Sequence, residues 1–519
     1  MSRGPPNKPQ PPRPCGSRCR YERDRTARRD LLPREPAPGT VVDFAYEGLD
    51  RLGIPAYSAA FWPEEGEPVN GAGYGTTTGE AAIGAFGELV EDTFCGASLA
   101  RLPRVRGSYK VLVSERGEAG VLDPVAACLE AGSPYDHSRE LSWVEARRYP
   151  SGEAVLVPVE LVASHFGDLA PEERGRGALF TPITNGLGAG PSLAHALSHG
   201  LLELIQRDGN SVSYRAMDRG VALDLDEISD PGTRALLEGL DAAGINVVPK
   251  LAATDFGTTN LYVVGHDRDP EDAPHPIMLS ACGEAAHPDR ERALRKATLE
   301  FVAARSRKLF HHGPFEAIEP VVPPGYLDHF RDRPLASEED RSLSAWLDWL
   351  SLSHGEMMEM LAEPVLSVRS RRAFSSLPHT ELDGDDREGL LEFVAGNLRE
   401  AGLDVLYVDL SPPDGSTRVV HAIVPGLEVE TMSYGRIGPR NLRRLLERGS
   451  DLVGLGEPPE GRPEARRILL TEAAAQEFGG PAWLDYAAVE RTVGRLYPLY
   501  REPGRHVAAL ALERGASAR

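Results

Sequence analysis

Between residues 40 and 450, apolar runs of strand length alternate with longer stretches in which apolar positions recur every three or four residues. Those are the side-chain periods of a pleated strand and of a helix. LDRLGIPAYSAAFWP reads as a helix end followed by a strand, the segment from Thr77 to Asp92 as a helix, and YKVLVSE and AVLVPVELV as strands. NGLGAGPSLAHALSHGLLELIQRDGN reads as a glycine-rich loop leading into a helix, and INVVPKLAATDFGTTNLYVVGHD as a strand pair. PIMLSACGEAAHPDRERALRKATLEFVAARSRKLF reads as strand, turn and helix. Helical patterning returns over 337–363 and 386–402, followed by a strand pair in DVLYVDLSPPDGSTRVVHAIVPG. Further on, EPPEGRPEARR reads as a linker and 484–497 as a short helix. The alternation predicts an α/β protein of mixed α+β character.

Three of these helices share a spacing. Each ends its phrase on a glutamate (Glu88, Glu203 or Glu300), with Thr77, Ser192 or Asp289 eleven positions earlier, residues whose side-chain oxygens close helix N-termini. Ala81, Ala196 and Ala293 precede the glutamates by seven positions, and Ala85, Gly200 and Ala297 by three. Both spacings put small residues on the glutamate's own helix face, where a second backbone can approach. A carboxylate on such a face is drawn inward and needs cations there. Several converging carboxylates suggest Mg²⁺ carrying phosphates.

Each phrase also admits a plainer account. Glu88 and Glu91, three apart, fit a pair of Mg²⁺ ligands or a solvated acidic face. Glu203 sits in the apolar frame LLELI, where a solvated face is harder to defend. Asn185, Gly186, Gly188 and Gly190 form a loop whose amides lie beside a helix N-terminus and suit an anion. Arg305, Arg307 and Lys308 follow Glu300, as phosphate partners or as cations complementing a helix C-terminus. His199, one turn before Glu203, fits a core residue or a group orienting a carboxylate, and His287 a turn.

Composition narrows the classes. The chain has 519 residues, 41% hydrophobic and 26% charged, enough for one large domain or two to three ordinary ones. A net charge of −21 argues against a general nucleic-acid or anionic-membrane binder. Five cysteines make no disulfide framework; Cys15 and Cys19 lack a second pair for a zinc site, and Cys95, Cys128 and Cys282 read as buried thiols. Residues 1–38 are proline- and arginine-rich and are expected to form a disordered tail. With neither a membrane-length apolar run nor a signal-peptide stretch, a cytoplasmic protein is expected.

The second phrase resembles the central signature of the YcaO family, and the other two resemble that family's remaining ATP-site motifs in the right order. LDRLGIPAYSAAFWP resembles its lead-in and VVHAIVPGLE its C-terminal strand, so that the likeness covers about residues 40–445. The resemblance implies a YcaO-like fold with three ATP-site helices, a catalytic domain over 39–450 and a C-terminal extension over 451–519. It implies ATP and Mg²⁺ as cofactors, and activation of a peptide backbone amide by O-phosphorylation. The product would be an azoline, a thioamide or an amidine, made during maturation of a ribosomal precursor peptide. It places the ATP-binding positions on Glu88, Glu91, Asn185, Glu203, Gln206, Glu300 and Arg305, with Glu88, Glu91, Glu203 and Glu300 as metal ligands. No fused peptide-recognition domain is visible, so a separate partner for peptide recognition or sulfur delivery is expected; a homodimer is allowed. Gln206, Asp92, Ala303, Tyr74 and Gly84 depart from the family pattern, where glutamate, arginine, glutamine, lysine and serine are usual. The Gln206 and Ala303 replacements motivate an alternative, a degenerate member that binds nucleotide as a scaffold in a biosynthetic complex.

Overall fold

Each repeated helix starts where the sequence places its cap. Thr77, Ser192 and Asp289 have extended backbones, and their side-chain oxygens accept from the amides of Glu80, of His195, and of Glu291 and Arg292. The helices are α1 (Thr78–Leu99), α2 (Leu193–Asn210) and α3 (Arg290–His312). Helix α1 outruns the expected end at Asp92, because Phe94, Cys95 and Leu99 carry its apolar face on into the core. The computed structural model describes residues 39–64, 68–174, 177–212, 219–225, 227–332, 335, 339–428, 435–499 and 501–515. The tail expected over 1–38, with Cys15 and Cys19, lies outside the described residues.

Seventeen strands form four sheets among the described residues. The first sheet is antiparallel, with order β1 (Gly39–Ala45), β2 (Ala56–Pro63), β3 (Val69–Tyr74). The second runs β4 (Val105–Ser108), β5 (Glu140–Arg148), β13 (Leu406–Asp409), β14 (Arg418–Ile423), β7 (Leu187–Gly190), with β6 (Ala154–Pro158) also pairing to β5. The third has order β11 (Cys282–His287), β10 (Thr259–Asp267), β9 (Ile245–Ala253), β8 (Val221–Asp224), β12 (Ser370–Ala373). The fourth is small: β15 (Val453–Leu455), β17 (Ala482–Asp485), β16 (Ala465–Ile468). Helices and several sheets share one chain, the mixed architecture expected.

The repeat is a structural unit. β3, β7 and β11 each end one of these strand orders, and each leads through a capped turn into α1, α2 or α3, which packs back on it. The small residues permit the close approach: Ala81, Ala85, Ala196, Ala293 and Ala297 are fully buried. At Gly73 an added Cβ would sit 2.0 Å from the Ala81 carbonyl oxygen, and at Gly188 it would sit 2.1 Å from that of Ala196. Only a residue without a side chain lets strand and helix backbones meet so closely.

Several segments differ from expectation: PIMLS is a 3₁₀ helix, Pro276–Ser280, ahead of β11, and AVLVPVELV leaves the strand at Pro158 for a 3₁₀ turn, Val159–Leu161. YKVLVSE is a helix, Tyr109–Arg116, because Ser108 caps it by accepting from the Val111 amide and Gly117 ends it at φ 77°. The stretch read as a linker reaches β16 and joins the small sheet. That sheet shares an apolar core with Trp346, Trp349, Met357, Leu442 and Ile277, so the C-terminal extension packs into the body.

Candidate functional site

The three strand–helix units enclose a cavity of about 470 Å³. Glu88 and Glu91 of α1, Glu203 of α2 and Glu300 of α3 all line it. In each unit the glutamate bonds back to its own edge strand or, for Glu203, to the turn residue just before it. Glu88 Oε2 accepts from the Ala72 amide at 2.9 Å, Glu203 Oε2 from Gly186 at 2.9 Å, and Glu300 Oε2 from Glu284 at 3.3 Å. A backbone amide thus fixes one carboxylate oxygen in every unit.

Side chains also stitch the units into a ring. Glu91 Oε1 accepts from the Ala189 amide of β7 at 2.9 Å, linking the first unit to the second. Arg207 of α2 donates to Glu284 of β11 at 2.9 Å, linking the second to the third. The Tyr74 hydroxyl donates to Glu300 at 3.0 Å, closing third onto first.

The electrostatics are those of a site built for cations. Protein hems in Glu88 beyond the cavity face it presents, and this desolvation lifts its pKa to about 7, with the charges of Glu203 and Glu300 adding to the rise. Glu91 is held well above the usual range, first by desolvation and then by Glu88 and Glu203. Glu300 is raised too, chiefly by desolvation. Four carboxylates crowding one cavity repel one another until divalent cations neutralise them. These oxygen donors suit Mg²⁺, and the remaining volume suits the phosphates it carries.

The other predicted residues are placed differently. Gln206 is buried outside the cavity lining, its amide donating to Glu284 at 3.4 Å. A glutamate there would face the Glu284 carboxylate, whereas the amide donates to it. Asn185 is buried behind the glycine strand, its carbonyl 3.0 Å from the His421 ring, against a second, smaller pocket. Arg305 faces away from the cavity. It is fully buried and ion-paired to Asp50 at 2.6 Å and Asp267 at 2.7 Å.

Arg307 lines the cavity instead. It lies seven positions past Glu300, the spacing that puts Ala293 on the same face, whereas five positions lead round to the far side. The sequence therefore held the signal. Other lining residues, Tyr46, Asn70, Arg207, His311 and Arg505, stand in no spacing that ties them to the glutamates. Cys282, read as a buried thiol, is half-buried on the cavity wall. Of the departures from the family pattern, Tyr74, Asp92 and Ala303 all line the cavity. Asp92 pairs with His165 Nδ1 at 3.2 Å, which raises the imidazole's affinity for a proton. His199 also lines the cavity; desolvation lowers its pKa to about 3, so it is neutral there.

Residues 72–428 match the family described as YcaO cyclodehydratase, ATP- and Mg²⁺-binding. An uncharacterized protein of Methanothermobacter thermautotrophicus is 30% identical over 397 residues, 76% of this chain and 90% of its own length. YcaO from Methanopyrus kandleri, solved with AMPPCP and Mg²⁺, superposes with a TM-score of 0.54 at 21% identity, covering 80% of this chain and 93% of that one. A chain of the Escherichia coli microcin synthetase McbBCD complex with pro-MccB17 bound superposes with a TM-score of 0.50 at 13% identity, covering 79% and 93%. No helix among the described residues is long and apolar enough to cross a membrane.

Proposed function

The chain belongs to the YcaO family, and on that footing we propose that it uses ATP and Mg²⁺ to phosphorylate the oxygen of a peptide backbone amide during maturation of a ribosomally made precursor. The observation that carries the proposal is the convergence of Glu88, Glu91, Glu203 and Glu300, from three separate helices, on one cavity. Their carboxylates hold Mg²⁺, and the backbone amides of Ala72, Gly186 and Glu284 keep three of them aimed. Bound Mg²⁺ neutralises the triphosphate and the charge that moves in phosphoryl transfer. Arg207, salt-bridged to both Glu203 and Glu284, keeps a cation among the carboxylates.

The chemistry needs such a site because an amide oxygen is a poor leaving group. A nucleophile adds to the carbonyl carbon, and the resulting oxyanion takes the terminal phosphoryl group as ADP departs. The nucleophile gives up its proton as it adds; the C–O bond then breaks, phosphate leaves with that oxygen, and a further proton is lost from the amide nitrogen to form the C=N bond of an azoline, or from the added sulfur to form the C=S bond of a thioamide. A neighbouring Cys, Ser or Thr side chain yields an azoline, and an external sulfur donor a thioamide. The microcin synthetase McbBCD complex with pro-MccB17 bound supports a separate partner protein for this chain as well.

Ala303 favours a second reading, a nucleotide-binding scaffold, because its methyl group offers the cavity no donor. Gln206 does not favour it, since that side chain sits outside the cavity lining. Purified protein with ATP, Mg²⁺, precursor and candidate partner decides between them. The expected result is phosphate release together with a mass change in the peptide, either loss of water or exchange of oxygen for sulfur. Both should fall by about 100-fold or more in Glu203→Ala, the scale of a lost transition-state stabiliser. Peptide of unaltered mass, with phosphate release unaffected by Glu203→Ala, would overturn the enzymatic reading.

A further inference from the structure

Part of the same cavity is basic. Arg307, His311 and Arg505 line it together. Arg505 lies beyond residues 72–428, the span matched to the family. It is buried, 7% exposed, with its guanidinium over the Phe310 ring at 5.3 Å and Nη1 donating to Ser58 Oγ at 2.9 Å. Its Nε has no hydrogen-bond partner among the described residues, and neither has His311 Nε2. The same C-terminal segment grips the end of α3 at two further points. Glu502 accepts from Arg307 through both oxygens, at 3.0 and 3.2 Å, and the His506 amide donates to the His311 carbonyl at 2.8 Å.

Two kinds of occupant suit unpartnered nitrogens. His311, His312 and Glu502 bring their ligand atoms within 4.8 Å of one another, a donor set that a divalent metal takes. The charge balance decides against a metal. Arg307 already engages both oxygens of Glu502, Lys308 adds positive charge beside that carboxylate, and Arg505 acts with Arg307 on His311, so two cations face Glu502 and a third stands by the histidine. A further cation would deepen that excess, whereas an anion would neutralise it. Arg307 also lies close enough to Glu88 to ease its ionisation, so the basic corner adjoins the glutamate cluster.

We propose that Arg505, with Arg307 and His311, binds the polyphosphate oxygens that the metal ions leave free, so that the C-terminal segment completes the nucleotide site. The inference rests on the ATP reading above and goes beyond it, assigning a ligand contact to a segment the family match does not reach. A guanidinium with an open N–H presents a charge-assisted donor to phosphate, and a desolvated corner strengthens it.

The test is equilibrium binding of AMPPCP with Mg²⁺, and separately of AMP, to full-length wild type, Arg505→Gln and Arg505→Lys. Arg505→Gln is expected to bind AMPPCP about tenfold to a hundredfold more weakly, the range for a lost charge-assisted bond, with AMP affinity within about twofold of wild type. Arg505→Lys, which keeps the charge and the stem over Phe310, is expected to fall between the two. Equal losses for AMPPCP and AMP, or none for either, would overturn the assignment, as would a lysine variant equal to wild type. Wild type that fails to bind AMPPCP at all would remove the ATP reading itself, and the inference with it.

Discussion

The hydroxyl of Tyr74, at the end of one edge strand, donates to Glu300 on the third repeated helix at 3.0 Å, across 226 positions of chain. It is one of three contacts that join the repeated units into a ring, the others being Glu91 to Ala189 and Arg207 to Glu284. Two of the three engage a carboxylate that lines the cavity, Glu91 and Glu300, whereas Arg207, itself on the wall, reaches Glu284 outside it. Glu91 and Glu300 thus join units as well as being proposed to hold the metal, which couples the assembly of the fold to the chemistry of the site.

Tyr74→Phe removes a donor that favours the ionised form of Glu300. The carboxyl, already raised by desolvation, should rise further, so the variant binds Mg²⁺ more weakly. The deficit should widen as pH falls, because less of Glu300 is then ionised. Calorimetric Mg²⁺ titration with AMPPCP near pH 8 and near pH 6.5 checks this, with several-fold weakening expected for the loss of one hydrogen bond to a charged group. A deficit that is equal at both pH values would show that Tyr74 acts on shape alone.

The metal-free protein should lose stability as pH rises. Glu88 has its pKa raised from 4.5 to about 7, and Glu91 and Glu300 move in the same direction. A carboxyl with a raised folded-state pKa binds its proton more tightly when folded, so its contribution is full below the unfolded pKa and is lost as pH climbs through the folded one. In chelator, the melting temperature is expected to fall between about pH 5 and pH 8. Mg²⁺ should restore it at the upper end, and Glu88→Gln should flatten the slope.

Much of this site is legible in sequence because helix geometry is local. The caps at Thr77, Ser192 and Asp289, the small residues three and seven before each glutamate, and the glutamates' common face follow from turn and helix periods alone. What stays hidden is tertiary. No spacing announces that Arg207 will reach Glu284, or that Arg505 will fold back over a cavity built from residues 46–311. The segment YKVLVSE misleads for a related reason. Its β-branched residues suggest a strand, but Ser108 and Gly117 cap it at both ends as a helix.

The close strand–helix approach sets a contrast between two glycines. Gly188→Ala would drive a methyl group to 2.1 Å from a backbone oxygen of α2 that has no room to yield. The cost should be about 1–3 kcal/mol, the range for overpacking. Displacement of α2 should also weaken the Gly186 anchor on Glu203 and with it Mg²⁺ binding. Gly87, inside α1, has nothing within 4 Å of an added Cβ. Gly87→Ala should therefore stabilise by about 0.5–1 kcal/mol through helix propensity and leave Mg²⁺ affinity unchanged. Denaturant melts and Mg²⁺ titration of both variants test the pair together.

Arg305 and Arg307 stand two residues apart on α3 and should fail in different ways. Arg305 is fully buried between Asp50 and Asp267, with Arg51 also bonded to Asp267. Arg305→Ala leaves two buried carboxylates without their shared guanidinium, and breaking such a network costs about 3–5 kcal/mol. Its melt should drop by many degrees, while the fraction that remains folded binds AMPPCP with Mg²⁺ as wild type does, because the side chain never reaches the cavity. Arg307 lies on the cavity wall with Glu502 as its partner. Arg307→Gln should melt close to wild type yet bind AMPPCP about tenfold or more weakly, through loss of a charge-assisted donor. The reverse pattern, a stable Arg305→Ala that cannot bind nucleotide, would show that Arg305 is the phosphate ligand and that α3 is rotated from its present register.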